Sequence, residues 1–255
     1  MIRFDHIWHR YGSKVAVADL TLAVPRGELF ALLGPNGAGK TTTIKMLVGL
    51  LRPDSGSVRV AGHDLALSRR EAVQAVGYLP DEPFLYEKLS GREFLEFVAE
   101  MRGMDRKEAN RRVARQIAAF ELHDFLDELA ESYSHGMKQR LVLAAALVHD
   151  PAVLVLDEPM VGLDPRSARM VKDLLRQRAR QGVTIFISTH MLALAEEIAD
   201  RIGILNQGRL VFLGTVAELQ REVACPQAAL ESLFLEFTHG AGRPAAEATG
   251  PAEPS

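Results

Sequence analysis

Eight residues, Gly34-Pro35-Asn36-Gly37-Ala38-Gly39-Lys40-Thr41, constrain this chain more than any other stretch. They fit G-x-x-x-x-G-K-[ST], a loop whose chemistry needs those residue types at that spacing. Glycines let backbone N–H groups turn inward and form a concave nest for phosphate oxygens. Lys40 can reach the outer phosphates as a compact cation, and the Thr41 hydroxyl can ligate Mg²⁺. A helix that starts here aims its positive end at the same anion. Glu28-Leu29-Phe30-Ala31-Leu32-Leu33 reads as a short buried strand just before the loop, and Thr41 to Leu51 as the helix just after. Strand, full motif and helix in that order set aside a plain glycine-rich turn and imply an α/β fold.

The chain has 255 residues, 47% of them hydrophobic, enough for one large α/β domain or a domain with a subdomain. Lys and Arg number 30 against 33 Asp and Glu, for a net charge of −3. There is no basic excess or basic run, so no electrostatic case for a nucleic-acid partner. Cys225 is the single cysteine, which excludes an intrachain disulfide and agrees with a reducing compartment. The Met1-Ile2-Arg3-Phe4 start is not a signal peptide. No apolar run approaches the roughly 18 residues a bilayer span needs.

In chain order, Met1 to Trp8 and Ala16 to Val24 read as strands joined through a polar turn, His9 to Ser13. Tyr11 in that turn has two open readings, a ring stacked on a purine face or a side chain packing a hairpin end. Ser57 to Val60 alternates as an edge strand should. A short helix from Ser68 to Val76 precedes the strand Val76 to Pro80, and Asp81-Glu82-Pro83 is an acidic turn after it, where ligands of parallel sheets collect. From about Phe84 to Ala130 no strand pattern occurs. Ser90 with Glu93 is a capping box, Asp105 with Glu108 a looser one, and Asp124 to Ala130 reads as a third short helical piece. This stretch predicts a helical insertion. Ser134 is placed as the N-cap of an apolar helix, so Ser134 and Gly136 are either an ordinary cap or a second anion site.

Ala152 to Leu156 is a near-continuous apolar strand, as expected when helices cover both faces. It ends in Asp157-Glu158. Two carboxylates at the end of a buried strand downstream of a phosphate loop point to metal and water rather than to structure. A turn through Asp164 leads to the helix Arg166 to Arg180, and the strand Val183 to Thr189 ends at His190, a ligand contact or a satisfied core imidazole. Ile202 to Leu205 and Leu210 to Leu213 read as a hairpin around Asn206-Gln207-Gly208. Thr215 to Val223 and Ala228 to Phe237 read as helices. Residues 240–255 hold no large apolar side chain and read as a disordered tail.

Phosphate loop, Ser-x-Gly cap, strand ending in Asp-Glu, Gly-Leu-Asp turn and strand-end His occur here in one order, and together they resemble the ATP-binding subunit of ABC transporters. The likeness spans residues 2–237. It implies an ABC-type P-loop fold over residues 1–239, with an antiparallel β subdomain, a mostly parallel core sheet and a helical subdomain at about 84–148. Gly34 to Thr41 would be the Walker A loop, with Thr42 after it also binding the nucleotide, and Tyr11 the aromatic that stacks on adenine. Asp157 would hold Mg²⁺ with Thr41, Glu158 would polarise the attacking water, and His190 would contact the γ-phosphate. Asp164 falls in the D-loop. Ser134 and Gly136 match the signature motif, which in this family binds the phosphate held by the opposite protomer. The implied partners are a second copy or a homologous ATPase subunit and an integral membrane permease. The implied location is the cytoplasmic face of the membrane.

The chain departs from the pattern in three places. The signature reads Tyr133-Ser134-His135-Gly136-Met137, Val161 stands where Ser is usual, and Asp81 stands where Gln is usual. Asp81 can still ligate Mg²⁺ but adds negative charge near the phosphates. Gly-Tyr-Leu-Pro-Asp-Glu-Pro and Ser-His-Gly-Met-Lys-Gln-Arg look like the branch that serves ABC-2-type exporter permeases. The rivals are a soluble ABC-type ATPase without a transport role, a P-loop GTPase or kinase, and a module that holds ATP without hydrolysing it. The GTPase base-reading motif is absent, and Glu158 with His190 speaks for hydrolysis.

Overall fold

Leu29–Leu33 (β3) is buried at every position and sits in the middle of a six-stranded sheet. Its parallel neighbours are Thr184–Thr189 (β8) and Arg201–Asn206 (β9); Val153–Asp157 (β7) and Val76–Leu79 (β6) continue the sheet beyond β8. Arg209–Gly214 (β10) pairs antiparallel with β9 and closes the order β10-β9-β3-β8-β7-β6. The computed structural model describes residues 1–222; Cys225, the expected helix Ala228 to Phe237 and the expected tail 240–255 lie outside the described residues. Strands β7 and β8 are as uniformly buried as β3, because both faces of the sheet are covered.

A second, four-stranded antiparallel sheet, in the order β2-β1-β4-β5, is formed by Ile2–Tyr11 (β1), Lys14–Val24 (β2), Ser55–Val60 (β4) and the two-residue His63–Asp64 (β5). The expected edge strand at Ser57 to Val60 is therefore flanked on both sides. Tyr11 is the last residue of β1, paired with Lys14, rather than part of a longer turn. The period-2 rule divides the core. Val153 and Val155 point with Phe30, Leu32 and Phe186 toward Phe4, Leu20 and Leu22 of the antiparallel sheet. Leu154 and Leu156 point the other way, into helices carrying Leu95, Ile117 and Leu143. The Phe186 ring lies 5.4 Å from Phe30 and 6.3 Å from Phe4, so aromatic packing joins the two sheets.

Helices fill the connections. They are Lys40–Leu47 (α1), Arg69–Gln74 (α2), Gly91–Met101 (α3), Arg106–Ala119 (α4), His135–Leu147 (α5), Pro165–Arg180 (α6), Leu192–Ile198 (α7) and Val216–Glu222 (α8). The predicted caps form: Ser90 and Glu93 make a reciprocal box, Asp105 accepts from the Glu108 N–H, and Ser134 accepts from the Met137 N–H. Helix α1 stops at Leu47, short of Leu51, because the Leu50 and Leu51 N–H groups both turn back to the Lys45 carbonyl.

Asp124 to Ala130 is not a helix. The segment is turns, with a 3₁₀ turn at Ala130–Ser132. Its backbone groups bond sideways instead of along a helix. Leu126 O accepts from Arg92 N–H, Ala130 N–H donates to Leu89 O, and the buried Tyr133 hydroxyl donates to Phe125 O. Between β6 and β7 the other regular elements are the helices α3, α4 and α5, with loop at residues 80–90 and an isolated bridge between Ser90 and Leu129. The β9–β10 connection is the predicted hairpin, with Gln207 and Gly208 both at positive φ.

His149, after α5, fastens this helical stretch to the sheet. Its Nε2–H donates to Val76 O, which also accepts from Arg102, and its Nδ1 is buried without a partner. Burial first, then the Arg102 charge, pushes the imidazole down to about 4. The folded chain thus resists a proton that the unfolded chain accepts below about pH 6.5. This stability is fully present above that pH and is lost as pH falls toward 4, by at most about 3 kcal/mol. We expect His149→Gln, which keeps a donor for Val76 O, to flatten the fall in unfolding temperature between pH 6.5 and 4.5. Parallel curves for the two proteins would refute this.

Candidate functional site

The carboxyl ends of β3, β6, β7 and β8 meet at one edge of the central sheet, where open parallel sheets place ligands. The glycine-rich loop leaves β3 there and enters α1 at Lys40. Gly39 adopts φ 109°, and a Cβ at this position would come within 2.4 Å of Ala16 O of β2. Only glycine fits so close to backbone at that angle. Ala38 N–H donates to Pro35 O, Gly208 N–H to Ala38 O and Ala18 N–H to Gly208 O. The loop is thus clamped between the β9–β10 hairpin and the antiparallel sheet. This brings Tyr11 and Lys14 to it.

Lys40 is buried to 7% exposure, and its ammonium donates to Gly34 O at 2.6 Å and Pro35 O at 3.3 Å. Burial lowers its pKa; the charges of Glu158, Asp157 and Asp81 oppose that shift. Asp157, 2% exposed, receives a hydrogen bond from the Ser188 hydroxyl. Burial raises its pKa, with Asp81 and Glu158 adding to the rise. Burial, then the charges of Asp157 and Asp81, pushes the neighbouring Tyr78 phenol up to about 12.

Glu158 follows β7 at φ 49°, an uncommon conformation for a residue with a side chain. Its N–H donates to Ser188 O, and its carboxylate accepts from Thr189 Oγ1 (2.9 Å), His190 N–H (3.0 Å) and His190 Nδ1 (2.8 Å). A carboxylate only accepts, so His190 carries its proton on Nδ1 and leaves Nε2 to the cavity.

One cavity of about 460 Å³ gathers most of the predicted residues. Tyr11, Asn36, Gly37, Gly39, Lys40, Thr41, Thr42, Asp81, Asp157, Glu158 and His190 line it, with Lys14, Ala16 and Val161. The Thr41 hydroxyl and the Asp81 and Asp157 carboxylates offer hard oxygen donors to this cavity. Among the described residues no group of three or more His, Cys, Asp or Glu forms a metal cage of its own. Oxygen donors without a cage suit a cation that takes its other ligands from phosphate and water.

Six of the predicted residues lie elsewhere. Gly34, Pro35 and Ala38 shape the loop from behind. Ser134 and Gly136, at the start of α5, are not on this cavity; Gly136 sits against the turn at Gly162 and Leu163. Asp164 caps α6, accepting from Ser167 Oγ, Ser167 N–H and Arg166 N–H. The Ser167 hydrogen bonds hold its pKa below the usual carboxylate value. Conversely, Ser188 and Thr189 escaped the sequence reading. Two adjacent hydroxyls at the carboxyl end of a buried strand were the available signal.

Residues 17–161 match a family model described as ABC transporter. The linearmycin resistance ATP-binding protein LnrL of Bacillus subtilis (strain 168) is 37% identical over 219 residues, covering 86% of this chain and 70% of that protein. The Nod factor export ATP-binding protein I of Burkholderia orbicola (strain AU 1054) is 40% identical over 225 residues, 88% and 74% of the two chains. A solved ATP-binding subunit of an ABC transporter superposes with a TM-score of 0.87 at 33% identity, covering 93% of this chain and 99% of that one.

Proposed function

This chain belongs to the ABC transporter family, and we propose that it is the subunit that binds and hydrolyses ATP to drive a separate membrane permease outward. The observation that carries this is the single cavity on which Lys40, Thr41, Asp157, Glu158 and His190 converge at the strand ends. The loop N–H groups and Lys40 would cradle the β- and γ-phosphates. Thr41 and Asp157, with Asp81 beside them, would hold Mg²⁺, which supplies charge neutralisation at the phosphates when bound. Glu158 would orient and polarise a water molecule. Its hydrogen bonds from Thr189 and His190 keep the carboxylate aimed at the cavity. Tyr11, half exposed on the rim, would stack on adenine.

Ser134 and Gly136 are absent from this cavity, which supports completion by a second copy or a homologous subunit. The α5 start of one protomer would close over the phosphates held by the other. ATP binding would favour the closed pair, and hydrolysis would release it. Relatives named for resistance and export support an outward direction. The permease would be another chain at the inner membrane face; among the described residues no helix is long and apolar enough to cross a membrane.

An exposed aromatic patch favours a membrane partner over a free-standing ATPase. Phe84, Tyr86 and Phe97 are 71%, 48% and 38% exposed and stack edge to face at 5.5 Å, just beyond Asp81. Exposed apolar clusters of this kind mark interaction sites. The test is purification from membranes. We expect the wild-type chain to bring down an integral membrane protein and Phe84→Ser with Tyr86→Ser to lose it, with ATP affinity unchanged. Recovery of soluble partners alone would reject the transport role.

A further inference from the structure

Strand β1 presents Ile2, Phe4, Ile7 and then His9 to the interior. The break from apolar residues at His9 has a physical cost. The imidazole is 6% exposed, and neither ring nitrogen makes a hydrogen bond within the protein. Its Nδ1 lies 3.4 Å from Asp54 Oδ1 but is not aligned for a hydrogen bond. An aliphatic side chain would be buried there without that penalty. What the ring supplies instead is an aromatic contact. It packs against Tyr11 at 4.8 Å between centroids and 85° between planes, within the favoured edge-to-face range for aromatic pairs. The strand end carrying both rings is clamped as well. Asp54 accepts from Arg10 N–H at 2.8 Å, and Asp54 N–H donates to Trp8 O at 2.9 Å.

Tyr11 lines the cavity and His9 does not. We propose that His9 is a positioning residue for the nucleobase, holding the Tyr11 ring so that its open face is ready for a purine. This rests on the reading of Tyr11 as the stacking aromatic. An exposed ring without a buttress must be ordered each time a base arrives, which weakens binding.

Dissociation constants for Mg·ATP and for Mg·tripolyphosphate, which lacks a base, test this directly. His9→Ala is expected to weaken ATP about fivefold and leave tripolyphosphate within about twofold, the scale of ordering one side chain. His9→Phe, which keeps an aromatic ring, should bind ATP within about twofold of the parent. In a Tyr11→Ala background, His9→Ala should add nothing, since both act through one contact. Equal weakening of both ligands by His9→Ala, or an undiminished effect without Tyr11, would overturn the proposal. If Tyr11→Ala itself spares ATP affinity, the stacking reading fails first. That result is distinct from one in which Tyr11→Ala weakens ATP and His9→Ala does not.

Discussion

Glu158→Gln is expected to bind ATP within about threefold of the parent and to hydrolyse it about 10²–10⁴ times more slowly, the range general-base removal produces. The amide retains the local geometry. Its oxygen can still accept from the His190 N–H and Nδ1, the pair now on Oε1 of Glu158. Its NH₂ can donate to Thr189 Oγ1, which already accepts from Met191 N–H. Only the negative charge that would draw a proton from water is removed. Phosphate release measured at saturating ATP reads the rate, and size-exclusion chromatography with ATP should show a stable pair. Near-normal turnover would remove Glu158 from its role.

Lys40→Ala is expected to raise the dissociation constant for Mg·ATP about 30- to 100-fold, the scale of losing a charge-assisted contact. The ammonium is the one buried cation among the described residues lining the cavity, where three carboxylates also lie. Without it, Asp81, Asp157 and Glu158 repel the incoming anion with only the exposed Lys14 of the cavity lining to oppose them. Folding should suffer little. Burial already disfavours the charged form of Lys40, so the unfolding temperature should move by only about a few degrees. Unchanged affinity by calorimetry would count against the loop. A collapse in unfolding temperature would mean that Lys40 holds the Gly34 and Pro35 carbonyls for structure alone.

Features with a short sequence period or a local hydrogen-bond logic were legible before any coordinates. The strand–loop–helix around Lys40, the buried β7 and β8, the caps at Ser90, Asp105 and Ser134, and the hairpin at Gln207-Gly208 all follow from neighbours a few residues apart. Asp124 to Ala130 misled because its composition suits a helix while its backbone partners lie at residues 89–92 and Tyr133. Residues 89–92 lie far back in the chain, beyond any local pattern, and Tyr133 acts through its side-chain hydroxyl, outside helical backbone logic. Tyr11 shows the opposite case. Its position in the chain left stacking and hairpin packing equally open, and its place on the rim of the cavity speaks for stacking.

The residue types and their order were set by the sequence alone: a glycine loop that nests an anion, carboxylates ending a buried strand, a histidine ending the next. Their convergence was decided by tertiary structure. Gly39 meets Ala16, Ser188 reaches Asp157, and Thr189 and His190 seize Glu158 only because β3, β7 and β8 lie parallel and the second sheet packs over the loop. Periodicity reports which face a residue takes, whereas strand order and sheet packing determine which distant face it meets.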